Sequence, residues 1–146
     1  MVGDIAPDFT LKDQNGNLFR LYDSLNRKTL LIFYPKDYTP VCTNQLTDYQ
    51  INKKVFDDLG INLIGINTGS VESHNSFTKS CNLGFPVLSD PLKKVSSKYK
   101  ALNFFGGNKR KLVLIGTDKK IVFEKDVLSI TYPSSRKLSR IFKGIS

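Results

Sequence analysis

The stretch "LIFYPKDYTPVCTNQ", residues 31–45, runs from an apolar segment through a proline to the start of a helix. The segment "TLLIFY" (29–34) has the length of a strand and no polar alternation after Thr29, the pattern of a strand covered on both faces. Thr39 suits an N-cap and Pro40 the first helical position. Leu46, Tyr49, Phe56 and Leu59 then share one helical face and Gly60 follows as a stop, so one helix is predicted over residues 40–59. Cys42 falls in its first turn. Backbone N–H groups there lack intrahelical partners, and the helix dipole adds partial positive charge. Both effects favour a thiolate. A free thiol is only a few per cent ionised at neutral pH, and helix N-termini and nearby cations raise that fraction.

Outward from this junction, strand and helix signals alternate. "NLFRLYDS" alternates apolar and polar residues after the turn "DQNGN", which predicts an N-terminal β-hairpin. "INLIGIN" (61–67) reads as a second buried strand. Ser70 can cap a helix bearing Val71, His74, Phe77 and Cys81 on one stripe and ending near Gly84. "FPVLSDP" gives a short strand, then a helix over residues 91–99 with Asp90 as N-cap and Pro91 at the first position. "KLVLIG" and "KIVFEK" are strands joined by "TDK". "SSRKLSRIFKGIS" closes the chain as an amphipathic helix with Leu138, Ile141 and Phe142 inward. The order predicts an α/β fold with a mixed central β-sheet flanked by helices.

The 146 residues suit a single domain over 1–146, and 40% apolar with 24% charged residues fits a soluble globular chain. There is no apolar run long enough to span a membrane and no charged-then-apolar leader, which points to the cytoplasm. The net charge of +9, from 22 basic and 13 acidic residues, raises nonspecific affinity for phosphate backbones. The basic residues are scattered, with clusters only at "NKRK" (108–111) and "SRKLSR" (135–140), so they read as solvated surface rather than a specific nucleic-acid site.

With 2 cysteines and 1 histidine, several chemistries lack parts. A cysteine protease needs a histidine base, and His74, on a separate helix, reads as a surface or packing residue. A zinc site needs about four ligands at suitable spacing. A thioredoxin-type reductant needs C-x-x-C, whereas Cys42 is followed by Thr43, Asn44 and Gln45. Neither a metal nor a cofactor is called for.

The pattern P-x-x-x-T-x-x-C, formed by Pro35, Thr39 and Cys42, resembles the active-site signature of the peroxiredoxins. The wider "FYPKDYTPVCT" is similar to that of the Q-type, or bacterioferritin-comigratory-protein, branch. "GDIAPDFTLKDQNG", "FTKSCNLGFPVLSD" and a late R-x-x-x-L-I strand extend the likeness over nearly the whole chain. The resemblance implies a thioredoxin-like fold and a thiol peroxidase acting on hydrogen peroxide and organic hydroperoxides. It implies Cys42 as the peroxidatic cysteine, Thr39 as a hydroxyl bonding thiolate and peroxide, Pro35 as a shield from water, and Arg110 as the guanidinium that stabilises the reacting sulfur. Gln45 stands where many relatives have glutamate.

The same resemblance implies Cys81 as a resolving cysteine. Some Q-type relatives carry that cysteine five positions after the first, where this chain has Thr47; others carry it in the following helix, as "FTKSCNLGF" would. A Cys42–Cys81 disulfide then requires the first turn of the Cys42 helix, and part of the Cys81 helix, to unwind. The implied reductant is thioredoxin or glutaredoxin, and the implied state a monomer. Two features depart from the pattern. The loop "KALNFFGGNK" is short, leaving Phe104 and Phe105 either to cover the active site or to pack on the core, and Lys119 stands where a turn glycine is usual. Three alternatives stay open: a one-cysteine peroxidase with Cys81 structural, a basic nucleic-acid-binding or chaperone-like module, and a dithiol–disulfide oxidoreductase acting on proteins.

Overall fold

The computed structural model describes residues 1–128 and 130–145. Ser129 and the last residue of the closing segment, Ser146, lie outside them. The strands are β1 (Thr10–Lys12), β2 (Leu18–Arg20), β3 (Lys28–Phe33), β4 (Ile61–Asn67), β5 (Val87–Ser89), β6 (Arg110–Ile115) and β7 (Ile121–Val127). They form one sheet in the order β2-β1-β5-β4-β3-β6-β7. β3, β4 and β5 pair in parallel, while β6 runs antiparallel to β3 and β7 to β6. The predicted hairpin is β1–β2, and it joins the sheet edge through Lys12 and Ser89.

The run from Leu30 to Tyr34 is central to this sheet and 0% exposed throughout. Its side chains alternate between faces with the period of two that a strand imposes. Leu30, Ile32 and Tyr34 enter one core with Cys42, Leu46, Tyr49, Phe56, Phe77, Leu138 and Phe142. Leu31 and Phe33 enter the other, beneath Ala6, Phe9, Leu21, Val95 and Tyr99. The first face therefore carries the helices α1 (Pro40–Ile51), α2 (Lys53–Asp58), α3 (Val71–Ser80) and α5 (Ser135–Lys143); the second carries the N-terminal segment and α4 (Lys94–Lys98). Each fully buried aliphatic or aromatic side chain contributes about 1.5–3 kcal/mol.

Several expected boundaries shift for local reasons. The helix predicted over residues 40–59 is two helices, broken at Asn52. The Asn52 amide donates to the Asp48 carbonyl (3.0 Å) and to Asp48 Oδ1 (2.8 Å), and Val55 N–H reaches only back to Asn52 O (3.0 Å). The side chain competes for the helical carbonyl and tightens the turn. The helix predicted over 91–99 is a single short turn, because Lys93 adopts φ 61°. Asp90, expected to cap at once, is buried and accepts instead from Ser96 N (2.8 Å), five residues beyond Pro91. Lys119 takes φ 70° in the β6–β7 turn, and its ammonium lies 4.7 Å from the Tyr22 ring centroid.

Two readings are corrected outright. Phe104 and Phe105 are 97% and 92% exposed and meet each other edge-on, so they neither pack on the core nor cover anything within the chain. The "NKRK" cluster is not solvated surface: Asn108, Arg110 and Lys111 are all buried. Lys111 Nζ is held by the carbonyl of Tyr99 (2.8 Å) and by Glu124 (2.7 Å). Two of the positive charges are thereby spent inside the molecule.

Candidate active site

β3 delivers the chain to the site. Past Phe33, Tyr34 still pairs with the sheet, its N–H donating to Ile66 O. The loop then turns through residues 35–39, with Tyr38 at φ 67°. Asn67, the last residue of β4, fixes this loop by donating its amide to Tyr34 O (2.7 Å) and Pro35 O (2.9 Å). Thr39 is the N-cap residue in extended backbone, Pro40 opens α1, and Thr43 N–H closes the first turn on Thr39 O (2.9 Å). Cys42 follows in that turn, 1% exposed.

Arg110 arrives from the neighbouring strand. The β3–β6 register sets Lys111 opposite Phe33, so Arg110 stands at the end of the sheet where β3 runs into the loop. Its guanidinium is buried and, among the described residues, reaches Gln45 and Cys42. One terminal nitrogen donates to Gln45 Oε1, and the other to Cys42 Sγ at 3.3 Å. Gln45 is itself held: its amide reaches Tyr49 Oη (3.3 Å), and that hydroxyl donates to Pro133 O (2.7 Å). Burial pushes the Tyr49 phenol far above its ordinary value, so it remains a donor. A planar fork suits such simultaneous holding, which a flexible ammonium does not reproduce.

The structure thus brings Cys42, Arg110 and Gln45 together. Thr39 is close by in the chain, but its hydroxyl donates to Lys36 O (2.9 Å) rather than capping α1. Pro35 is half-buried at the start of the loop, where its carbonyl accepts from Asn67. Cys81 is the C-cap of α3 rather than a residue of the helix body, and both cysteines are free thiols. Burial pushes the Cys81 thiol up, with the Asp37 charge adding to this and a bond with Thr47 opposing it. Cys81 and Cys42 also adjoin the same core cluster.

Three residues that the sequence did not single out, and one that it set aside, form a second buried cluster here. Asp37 accepts from Tyr34 Oη (2.5 Å) and Ser73 Oγ (2.7 Å), and it meets His74 Nδ1 at 2.6 Å. Burial pushes the Asp37 carboxyl up, but the bonds from His74, Tyr34 and Ser73 outweigh it and hold it below the ordinary carboxylate range. The Tyr34 phenol is pushed well up by burial and by Asp37, with smaller contributions from Cys42 and Cys81. His74 is 0% exposed, so of surface and packing residue it is the second. Its place on the Val71–Phe77 stripe signalled burial; nothing local announced that Asp37, between exposed Lys36 and Tyr38, would be its partner.

Among the described residues no cluster of histidine, cysteine and carboxylate side chains could hold a metal, and no helix is long and apolar enough to cross a membrane.

The AhpC/TSA family matches residues 2–124, a stretch that contains Cys42, Cys81 and Arg110. A protein named putative peroxiredoxin bcp from Helicobacter pylori is 39% identical over 100 residues, 68% of this chain and 66% of its own length. The match thus spans just under two thirds of that relative. A protein of the same name from Coxiella burnetii is 34% identical over 135 residues, 90% of this chain and 87% of its own length. The crystal structure of peroxidoxin BcpB from Mycobacterium tuberculosis superposes with a TM-score of 0.89 at 27% identity, covering 99% of this chain and 97% of that one. The thioredoxin-like α/β fold expected from the sequence is borne out. The chain belongs to the AhpC/TSA family, among relatives that carry the bcp name.

Proposed function

We propose that the chain is a thiol peroxidase that reduces hydrogen peroxide and organic hydroperoxides through Cys42. The observation that carries this reading is the buried Arg110 fork, which bonds Gln45 and Cys42 Sγ at the mouth of α1. In the reaction the Cys42 thiolate attacks a peroxide oxygen. The S–O bond forms, the O–O bond breaks, and the leaving oxygen takes a proton as water or alcohol. Charge moves from sulfur to that oxygen, so fixed donors matter more than a general base. Arg110 stands at the sulfur where this charge begins. Thr39, once its hydroxyl turns from Lys36 O, is the second donor, and Pro35 limits water at the loop.

Cys81 then resolves the sulfenic acid. Its thiolate attacks Cys42 Sγ, the S–S bond forms, the S–O bond breaks, and the departing hydroxide takes up the proton that Cys81 released and leaves as water. A disulfide needs Cα atoms within about 7 Å, and the two thiols sit on separate helices, so the first turn of α1 and the Cys81 turn of α3 unwind to bring them together. A dithiol of the thioredoxin or glutaredoxin kind returns two electrons and restores both thiols. The protein works as a cytoplasmic monomer.

Peroxide consumption coupled to a thioredoxin system tests the cycle. Wild type turns over. Cys42→Ser consumes no peroxide. Cys81→Ser gives one equivalent and stops, and mass spectrometry of oxidised wild type finds a Cys42–Cys81 bond within one chain. Sustained turnover by Cys81→Ser with an added monothiol at the wild-type rate would favour the one-cysteine cycle, in which half-buried Cys81 is only a helix cap. Insulin reduction without peroxide turnover would mark a protein oxidoreductase, and salt-sensitive DNA binding that survives Cys42→Ser would mark a nucleic-acid module.

A further inference from the structure

The Asp37 cluster joins the two segments that carry sulfur. Asp37 belongs to the loop that leads into Cys42; Ser73 and His74 belong to the first turns of α3, whose C-cap is Cys81. Both ends of the main link are inside the protein, with His74 0% and Asp37 5% exposed. Close packing is built in: a Cβ at Gly69 would lie 3.2 Å from His74 Cε1 and 3.0 Å from Asn67 Oδ1. His74 Nε2 is buried with no hydrogen-bond partner among the described residues. A bare polar nitrogen in a core carries a cost that an aliphatic residue would avoid. Stability alone therefore does not account for a histidine here.

The far end of α3 is constructed differently. Asn82 takes φ 53°, its N–H meets Lys79 O (3.2 Å), and Leu83 N–H meets Thr78 O (2.9 Å). This is a Schellman stop, with asparagine in the left-handed position that glycine usually fills. The Cys81 turn is only half-buried. One helix thus has an anchored beginning and a lightly held end.

We propose that Asp37, Ser73 and His74 are positioning residues for the resolving step: they pin the first turns of α3 to the loop that leads into Cys42, so that within α3 unwinding is confined to the Cys81 turn. The inference rests on the reading of Cys81 as the resolving cysteine. Pinning shortens the search of the Cys81 thiol for the sulfenic sulfur, since the tether that unwinds is a few residues rather than the whole helix. It leaves the balance of the step unchanged: S–S forms, S–O breaks, and water departs.

Stopped-flow fluorescence with hydrogen peroxide separates the two steps. Sulfenic acid formation is second order in peroxide; disulfide formation is first order and independent of it. His74→Leu removes the link and fills the space. It is expected to slow the first-order phase at least tenfold, to leave the second-order constant within threefold, and to increase overoxidised Cys42 at high peroxide. His74→Asn, whose amide can stand where Nδ1 stands, is expected to recover most of the first-order rate. An unchanged or faster first-order phase in His74→Leu would overturn the pin. Hydrogen exchange on wild type carries the same question if His74→Leu fails to fold. In the disulfide form the amides of Thr78 to Leu83 are expected to lose protection while those of Phe77 and the residues before it keep theirs; loss along the whole helix would overturn the pin. Oxidised wild type with no Cys42–Cys81 bond would instead overturn the resolving role itself, and the pin with it.

Discussion

Cys42 and Cys81 sit at opposite ends of two helices. Cys42 is in the first turn of α1, where free N–H groups and the dipole suit an anion; Cys81 caps the end of α3, where free carbonyls oppose one. Surroundings extend the contrast. Cys42 has the Arg110 guanidinium at 3.3 Å, while Cys81 has burial and the Asp37 charge, which both push its thiol up. In the proposed cycle the more buried sulfur is the one that meets peroxide. Exposure is therefore a poor guide to cysteine reactivity here, and the electrostatics of the helix end is a better one.

The largest effect that can break this contrast is removal of its cation. Arg110→Ala is expected to lower the second-order rate of peroxide reduction by about 10²–10³-fold, the usual cost of one oriented donor to a developing oxyanion. Arg110→Lys should recover little of it, because one ammonium cannot hold Gln45 Oε1 and Cys42 Sγ with two parallel donors. Stopped-flow measurement of both steps decides the matter. A loss smaller than tenfold, or an equal loss in the first-order disulfide phase, would mean that the two sulfurs are not differently equipped.

A smaller effect comes from pH acting on Cys81. Its thiol is raised in the folded state above the ordinary value. The sign follows from linkage. Below the ordinary thiol range both the docked and the unwound turn carry the neutral thiol, and docking keeps its full strength. Above that range the unwound turn ionises first, so docking weakens as pH rises toward the folded value. The thiolate is also the attacking species, so both effects favour faster disulfide formation at higher pH. The first-order rate is expected to rise up to about tenfold per pH unit above neutrality until the unwound thiol is ionised. A rate flat from pH 7 to 9 would show that Cys81 ionisation does not govern the step.

Much of this arrangement was legible in the sequence. The run 29–34 announced a strand covered on both faces, and the succession Thr39, Pro40, Cys42 placed a thiol in a first helical turn. These signals are local, and local physics sets them. The helix break at Asn52 was not legible, because it depends on Asp48, whose carboxylate is also drawn to Ser135 N–H (2.9 Å) from the far end of the chain. By charge pattern alone Arg110 and Lys111 looked like surface, because the partners that make their burial possible come from α1 and β7; only the family resemblance set Arg110 beside the sulfur. Asp37 and His74 are separated by thirty-six intervening residues and carry no spacing rule that would pair them. Contacts made by tertiary folding alone were the part that composition and periodicity could not reach.

The smallest effect tests the light end of α3. At Asn82 the left-handed backbone is tolerated because a short polar side chain accepts it more readily than other non-glycine residues do. Asn82→Ala keeps the size modest and removes that tolerance, at a cost of about 1 kcal/mol to the Schellman stop. The cost falls on the docked turn and vanishes in the unwound one. The opening equilibrium should therefore rise about fivefold, and the first-order disulfide rate with it. This is opposite in sign to the slowing expected of His74→Leu, although both substitutions weaken the same helix. A helix that behaves as one rigid body would slow, or quicken, in both cases. Opposite signs at its two ends can arise only if α3 is divided into a part that holds and a part that lets go.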